Sequence, residues 1–109
     1  MAAYQAKKKA EKVKFANDWL DAHKGEPEYG KDIQVLKVNP NDRDENRFIE
    51  FTEMSDRNGG GYLVALNGKT NAGYGRFDKF SFDDKADAIA KQKELYQKEL
   101  KRIRKTAGR

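Results

Sequence analysis

Residues 46–82 read NRFIEFTEMSDRNGGGYLVALNGKTNAGYGRFDKFSF, and their reading decides the fold. Phe48 to Met54 and Tyr62 to Leu66 are rich in aromatic and branched residues, the side chains that suit a pleated surface. Between them Gly59, Gly60 and Gly61 follow one another, which gives the backbone freedom for a hairpin. Asn67-Gly68 is a two-residue turn signal of type I′; a second placement puts the turn at 71–73, with 67–70 a continuing strand or a bulge. A last strand is expected over Tyr74 to Phe82, with Phe80 and Phe82 on one face and Lys79 and Ser81 on the other.

Downstream of this stretch the pattern changes from period two to helical. Ala86, Ile89, Lys93, Tyr96, Leu100 and Ile103 are spaced three and four apart and draw one stripe along a long helix. Ser81 is the expected cap, with Asp83 and Asp84 near the positive end of the helix. Upstream, Ile33 to Val38 reads as a short strand stopped by Asn39-Pro40-Asn41, and 42–45 as a solvated loop. Before it, Ala6, Ala10, Val13, Ala16 and Leu20, widened by Phe15 and Trp19, predict an amphipathic helix from about Ala3 to His23. Gly25 is expected to end that helix in the left-handed cap position, with Pro27 preventing resumption. The fold class is therefore α+β: a small antiparallel sheet of about four strands against a long C-terminal helix, preceded by an N-terminal amphipathic helix. Residues 1–30 form a helix and linker, 31–105 the α+β domain and 106–109 a basic tail.

The 109 residues leave room for one modest core. Zero cysteines remove disulfides, thiolate nucleophiles and cysteine zinc sites, and the expected setting is cytoplasmic. No apolar run reaches the roughly 20 residues a bilayer span needs, so no membrane association is expected. The net charge of +5 is unevenly placed. Residues 1–45 hold nine Lys/Arg and nine Asp/Glu; 83–109 hold nine against five. Lys98, Lys101, Arg102, Arg104, Lys105 and Arg109 face only Glu99 in the last twelve residues. A second cluster is Lys7, Lys8, Lys9, Lys12 and Lys14 against Glu11.

Catalytic motifs find no material. Asp83, Asp84 and Asp87 are accounted for by the dipole of the helix they open, rather than by magnesium. His23 is the only histidine, which leaves no metal cluster or histidine-based triad. Neither Gly59-Gly60-Gly61 nor the run from Gly73 to Gly75 precedes a Lys-Ser/Thr at a helix start. No catalytic residue, metal or cofactor is expected, and the chain reads as a binding protein rather than an enzyme.

From Leu36 to about Leu100 the order of signals resembles the WGR domain, a small module of poly(ADP-ribose) polymerases and short bacterial proteins. The likeness begins at Asn46-Arg47-Phe48-Ile49, similar to that family's Asn-Lys-Phe-Tyr strand entry. It continues through the glycine turn and Tyr62-Leu63-Val64 to Asn67-Gly68-Lys69 in the place of Trp-Gly-Arg. Gly75-Arg76 stands at the family's Gly-Gln position, and residues 82–89 look like its helix opening. Asn67 and Lys69 differ from the naming residues, so only Gly68 of the triplet is retained. The resemblance implies a fold of this class and a corner that contacts DNA ends and neighbouring domains.

Two functions are expected from this reading. The first is a nucleic-acid-binding module of low sequence specificity, DNA ahead of RNA, cytoplasmic or nucleoid-associated. Lys69, Arg76 and Lys79 would touch phosphates from the sheet, and Lys98, Lys101, Arg102, Arg104 and Lys105 would extend the footprint along the helix. The second is a protein-interaction module, such as a small accessory or phage-like protein docking on a larger partner through Phe15, Trp19, Tyr74 and Phe77. Convergence of the basic side chains on one face favours the first, and dispersal favours the second.

Overall fold

The computed structural model describes residues 2–36, 47–70 and 73–109; for 2–8, 69–70 and 73–74 it describes the backbone. Helix α1 spans Ala2–Ala22, followed by strands β1 (Ile33–Gln34), β2 (Phe48–Glu53), β3 (Tyr62–Thr70) and β4 (Gly73–Phe82), and by helix α2 (Lys85–Ala107). The strands form one antiparallel sheet in the order β1-β2-β3-β4. Helix α2 packs across β2, β3 and β4, and α1 packs on α2 rather than on a strand. The architecture is α+β.

Residue parity along the strands decides what each face buries. Ile49, Val64 and Leu66 face α2, joined by half-buried Phe51, Tyr62, Phe80 and Phe82, and meet Leu95, Tyr96, Leu100 and Ile103 from the helix. Ala16 and Leu20 of α1 join the same cluster. The expected helical stripe is corrected at its start: Ala86 and Lys93 are exposed, and the buried face runs through Ala88, Gln92, Leu95, Glu99 and Ile103. Two polar residues occupy that face because each has partners. Gln92 is fully buried, accepts from the Gly30 amide at 2.9 Å and donates to the Lys31 carbonyl at 2.7 Å. It ties the loop before β1 to α2.

The glycine run turns as expected, through a short 3₁₀ segment at Asp56–Asn58 and three left-handed glycines. Gly61 has φ 79°, and a Cβ there would meet the Phe82 carbonyl oxygen at 2.5 Å. Asn67-Gly68 is not a turn. Strand β3 runs through it, pairing Asn67 with Phe48 on one side and Arg76 on the other, the continuing strand and bulge of the second placement. Residues 71–72, like the 37–45 part of the expected first strand and loop, lie outside the described residues.

The helix ends also differ from expectation. Helix α1 stops at Ala22, and Gly25 is not in the left-handed region. Ser81 remains in β4 opposite Leu63, and Asp84 stands at the α2 N-cap without a side-chain cap bond. At the other end Gly108 has φ 78°, the Gly108 amide reaches the Lys105 carbonyl at 3.2 Å, and the Arg109 amide reaches that of Arg104 at 2.8 Å. Residues 106–107, expected in the tail, belong to α2.

Candidate nucleic-acid interface

Burial of Leu95, Leu100 and Ile103 against the sheet turns Lys98, Lys101, Arg104 and Lys105 outward, and all four are exposed. Lys98, Lys101 and Lys105 sit three and four positions apart, hence one above another on the helix surface. Glu94 lies 3.7 Å from Lys98; among the described residues, no acid pairs with Lys101, Arg104 or Lys105. Arg104 and Lys105 lie in the last turn, where the helix dipole alone favours cations. Lys98 and Lys101 lie upstream of it, beyond the reach of that effect.

Arg102 is not part of the outward stripe. Its Nε donates to Glu99 Oε2 at 2.6 Å and its Nη2 to the Leu36 carbonyl at 2.8 Å. Arg47 donates to Glu99 Oε1 through Nε at 3.0 Å and Nη2 at 2.7 Å. Glu99 is thus a buried carboxylate between two arginines, locking the starts of β2 and the end of β1 to α2. The structure thus sets Arg102 apart from the outward stripe, with its Nε and Nη2 committed inside the protein.

The sheet cations lie on the far side of the molecule from α2. A bulge falls in the β3–β4 register, with Leu66 opposite Asp78 and Asn67 opposite Arg76, so Phe77 is the extra residue. Regular alternation from Phe80 and Phe82 would aim Arg76 at the helix side. The bulge re-aims it to the open face, where Glu50 sits. Arg76 Nε and Nη2 each donate to a Glu50 carboxylate oxygen at 2.8 Å, and Thr52 Oγ1 (2.7 Å) and Asn67 Nδ2 (3.0 Å) complete the shell. The Arg76 hydrogen bonds, aided by Thr52 and Asn67 and opposed by burial, hold the Glu50 carboxyl at about 2. Glu50, Asn67 and Arg76, with Phe48, Asp32 and Gly75, line a shallow recess of about 500 Å³. Lys79, opposite Ala65, is exposed on this same face. The expected convergence of sheet and helix cations is therefore not observed. The side chain of Lys69 lies outside the described residues.

Among the aromatic candidates, Phe15 and Phe77 are 41% and 40% exposed. Phe77 lies across Gly68, close enough that a Cβ there would meet its ring at 2.8 Å, and the Arg47 guanidinium sits 5.1 Å from its centroid. Trp19 is half-buried and stacks on His23, ring centroids 4.0 Å apart at 14°. The side chain of Tyr74 lies outside the described residues.

A second concavity, of about 380 Å³, opens between the ends of α1 and α2. Leu20, Tyr96 and Leu100 give it a core-derived floor, while His23, Lys24, Arg104 and Arg109 stand around it. Arg109 is tethered by Asp21 Oδ1 at 3.2 Å, and Glu26 accepts from the Tyr29 hydroxyl at 2.7 Å. Burial, with Glu26 beside it, raises the Tyr29 hydroxyl above its ordinary range, so it stays a donor. Sequence reading missed this cleft, the Glu50 and Glu99 clusters and Gln92, although the lone His23 and Trp19 spaced by four was a signal for the first.

No group of three or more His, Asp or Glu suited to a metal occurs among the described residues. No helix there is long and apolar enough to cross a membrane. Comparison with protein-family models, curated proteins and solved structures finds no match. The WGR resemblance accordingly rests on the residues quoted for it.

Proposed function

We propose that the chain is a nucleic-acid-binding module that grips the phosphate backbone through the outward face of α2, with little sequence specificity. The observation that carries this reading is the exposed stripe Lys98, Lys101, Arg104 and Lys105, against which, among the described residues, only Glu94 stands. Two of its four members lie where the dipole gives no reason for a cation. Mobile lysines on a convex helix suit phosphates, which fix position without reporting sequence. The footprint excludes Arg76, whose Nε and Nη2 are held by Glu50, and Arg102, whose Nε and Nη2 are held by Glu99 and the Leu36 carbonyl. Within the same proposal fall a WGR-like origin of residues 36–100, supported by the quoted motif order, and a cytoplasmic or nucleoid setting, where the ligand is found.

The test is fluorescence anisotropy of the full chain with labelled DNA and RNA at several salt concentrations. Four phosphate contacts give a log–log salt slope of about −3 to −4, and each Lys→Gln change in the stripe lowers its magnitude by about 1. K79Q, on the opposite face, leaves the slope unchanged. No complex at low salt, or a fourfold Gln variant that binds as the parent does, overturns the proposal.

A protein partner is the second reading, favoured by the dispersal of the sheet and helix cations over opposite faces and by Phe15, which is exposed on a helix that packs, among the described elements, on α2. Its docking would be lost in F15D with the fold retained.

A further inference from the structure

We infer that the cleft between α1 and α2 receives an unpaired nucleobase, which makes the module selective for single-stranded nucleic acid. The inference rests on the nucleic-acid reading and specifies its substrate class. Helix positions 97, 100 and 104 line the cleft, and 98, 101 and 105 are the next residues round the same helix. A strand lying on the stripe therefore passes the mouth of the cleft. The volume of about 380 Å³ lies within the roughly 300–1,000 Å³ of small-ligand sites, enough for one nucleoside.

The walls suit a base flanked by phosphates. His23 lies with one face on the Trp19 indole and lines the cleft, so its second face is the one available for stacking. The ring is held in place, because its Nδ1–H donates to the Trp19 carbonyl at 2.7 Å. A base added to this stack extends an existing pair of aromatic rings, which lowers the ordering cost of the contact. Lys24 and Arg104 at the rim stand where the phosphates on either side of that base would pass, with Arg109 beside them paired to Asp21 and Glu26 alone among the lining acids. A duplex keeps its bases paired and stacked, presenting phosphates to α2 but nothing to the cleft.

The decisive experiment measures anisotropy of the full chain with an unstructured oligonucleotide and with a duplex of equal length. The single strand is expected to bind about tenfold more tightly, the worth of one stacked base. H23A should lose most of that preference and leave duplex binding as it was. H23F keeps a stacking face without a titratable nitrogen, and should retain the preference; it also serves as control should H23A loosen the end of α1. Equal binding of strand and duplex, or a preference that survives H23A, overturns the inference while the phosphate-gripping stripe stands. Absence of both complexes removes the stripe reading and this one together.

Discussion

Glu50 shows at the residue scale how a charge can be held on the open face of a sheet. Its carboxylate takes four hydrogen bonds, two of them from one arginine, and buried polar side-chain atoms without a partner are absent among the described residues. With its folded value at about 2 against an ordinary 4.5, the ionised form is preferred by the native state. The stabilisation is fully present above pH 4.5 and is lost as pH falls towards 2, amounting to about 2 kcal/mol after allowance for the half-exposed arginine. Acid unfolding of E50Q should therefore show a flatter stability profile between about pH 5 and 2 than the parent, by urea midpoints at each pH. An identical pH dependence would show that Arg76 contributes no net coupling. None of this was legible beforehand. Glu50 lies on a strand whose alternation was read correctly, yet Arg76 reaches it only through a one-residue bulge that leaves no compositional mark.

Among the elements, α2 and β3 show where pattern reading succeeds and where it stops. Period-two runs and the glycine turn placed β2, β3 and β4 because each strand buries one face on α2, so apolar alternation and structure share a cause. The same logic misplaced the start of the helical stripe. Counting apolar residues passes over Gln92 and Glu99, which are buried with their partners, and so selects Ala86 and Ile89 one step round the helix. Asn67-Gly68 misleads for a related reason: a strong local turn preference yields to pairing on both sides of β3, with Gly68 lending its missing side chain to Phe77. Glu99 makes the sharper prediction. E99A leaves Arg47 and Arg102 charged and half-buried without their carboxylate, and should cost about 3–5 kcal/mol in chemical denaturation, whereas E99Q retains part of the network and should cost less. Equal losses would assign the effect to the charge that both variants remove, rather than to packing or to the hydrogen bonds Gln retains.

Seen as a whole molecule, the protein is a stack in which the sheet carries α2 and α2 carries α1, so the two ends of α1 have different standing. Ala16 and Leu20 are buried, Asn17 donates to the Ala107 carbonyl at 3.1 Å, and Arg109 pairs with Asp21. Lys9, Ala10 and Lys12 are exposed. Deleting residues 1–24 therefore uncovers α2 and is no neutral test of partner binding, whereas deleting 1–12 removes four lysines and one glutamate and spares the core. The shorter deletion should leave the thermal midpoint within a few degrees of the parent; the longer one should lower stability by at least the roughly 2–5 kcal/mol of a single buried Leu→Ala change. Nucleic-acid binding separates the charge clusters that the sequence could only count. If the outward face of α2 is the whole footprint, deletion of 1–12 leaves the salt slope of the parent, because none of the removed lysines then neutralises a phosphate. A slope reduced by three or four would extend the footprint to the lysines of α1, and would shift the bound strand from along α2 to across both helices.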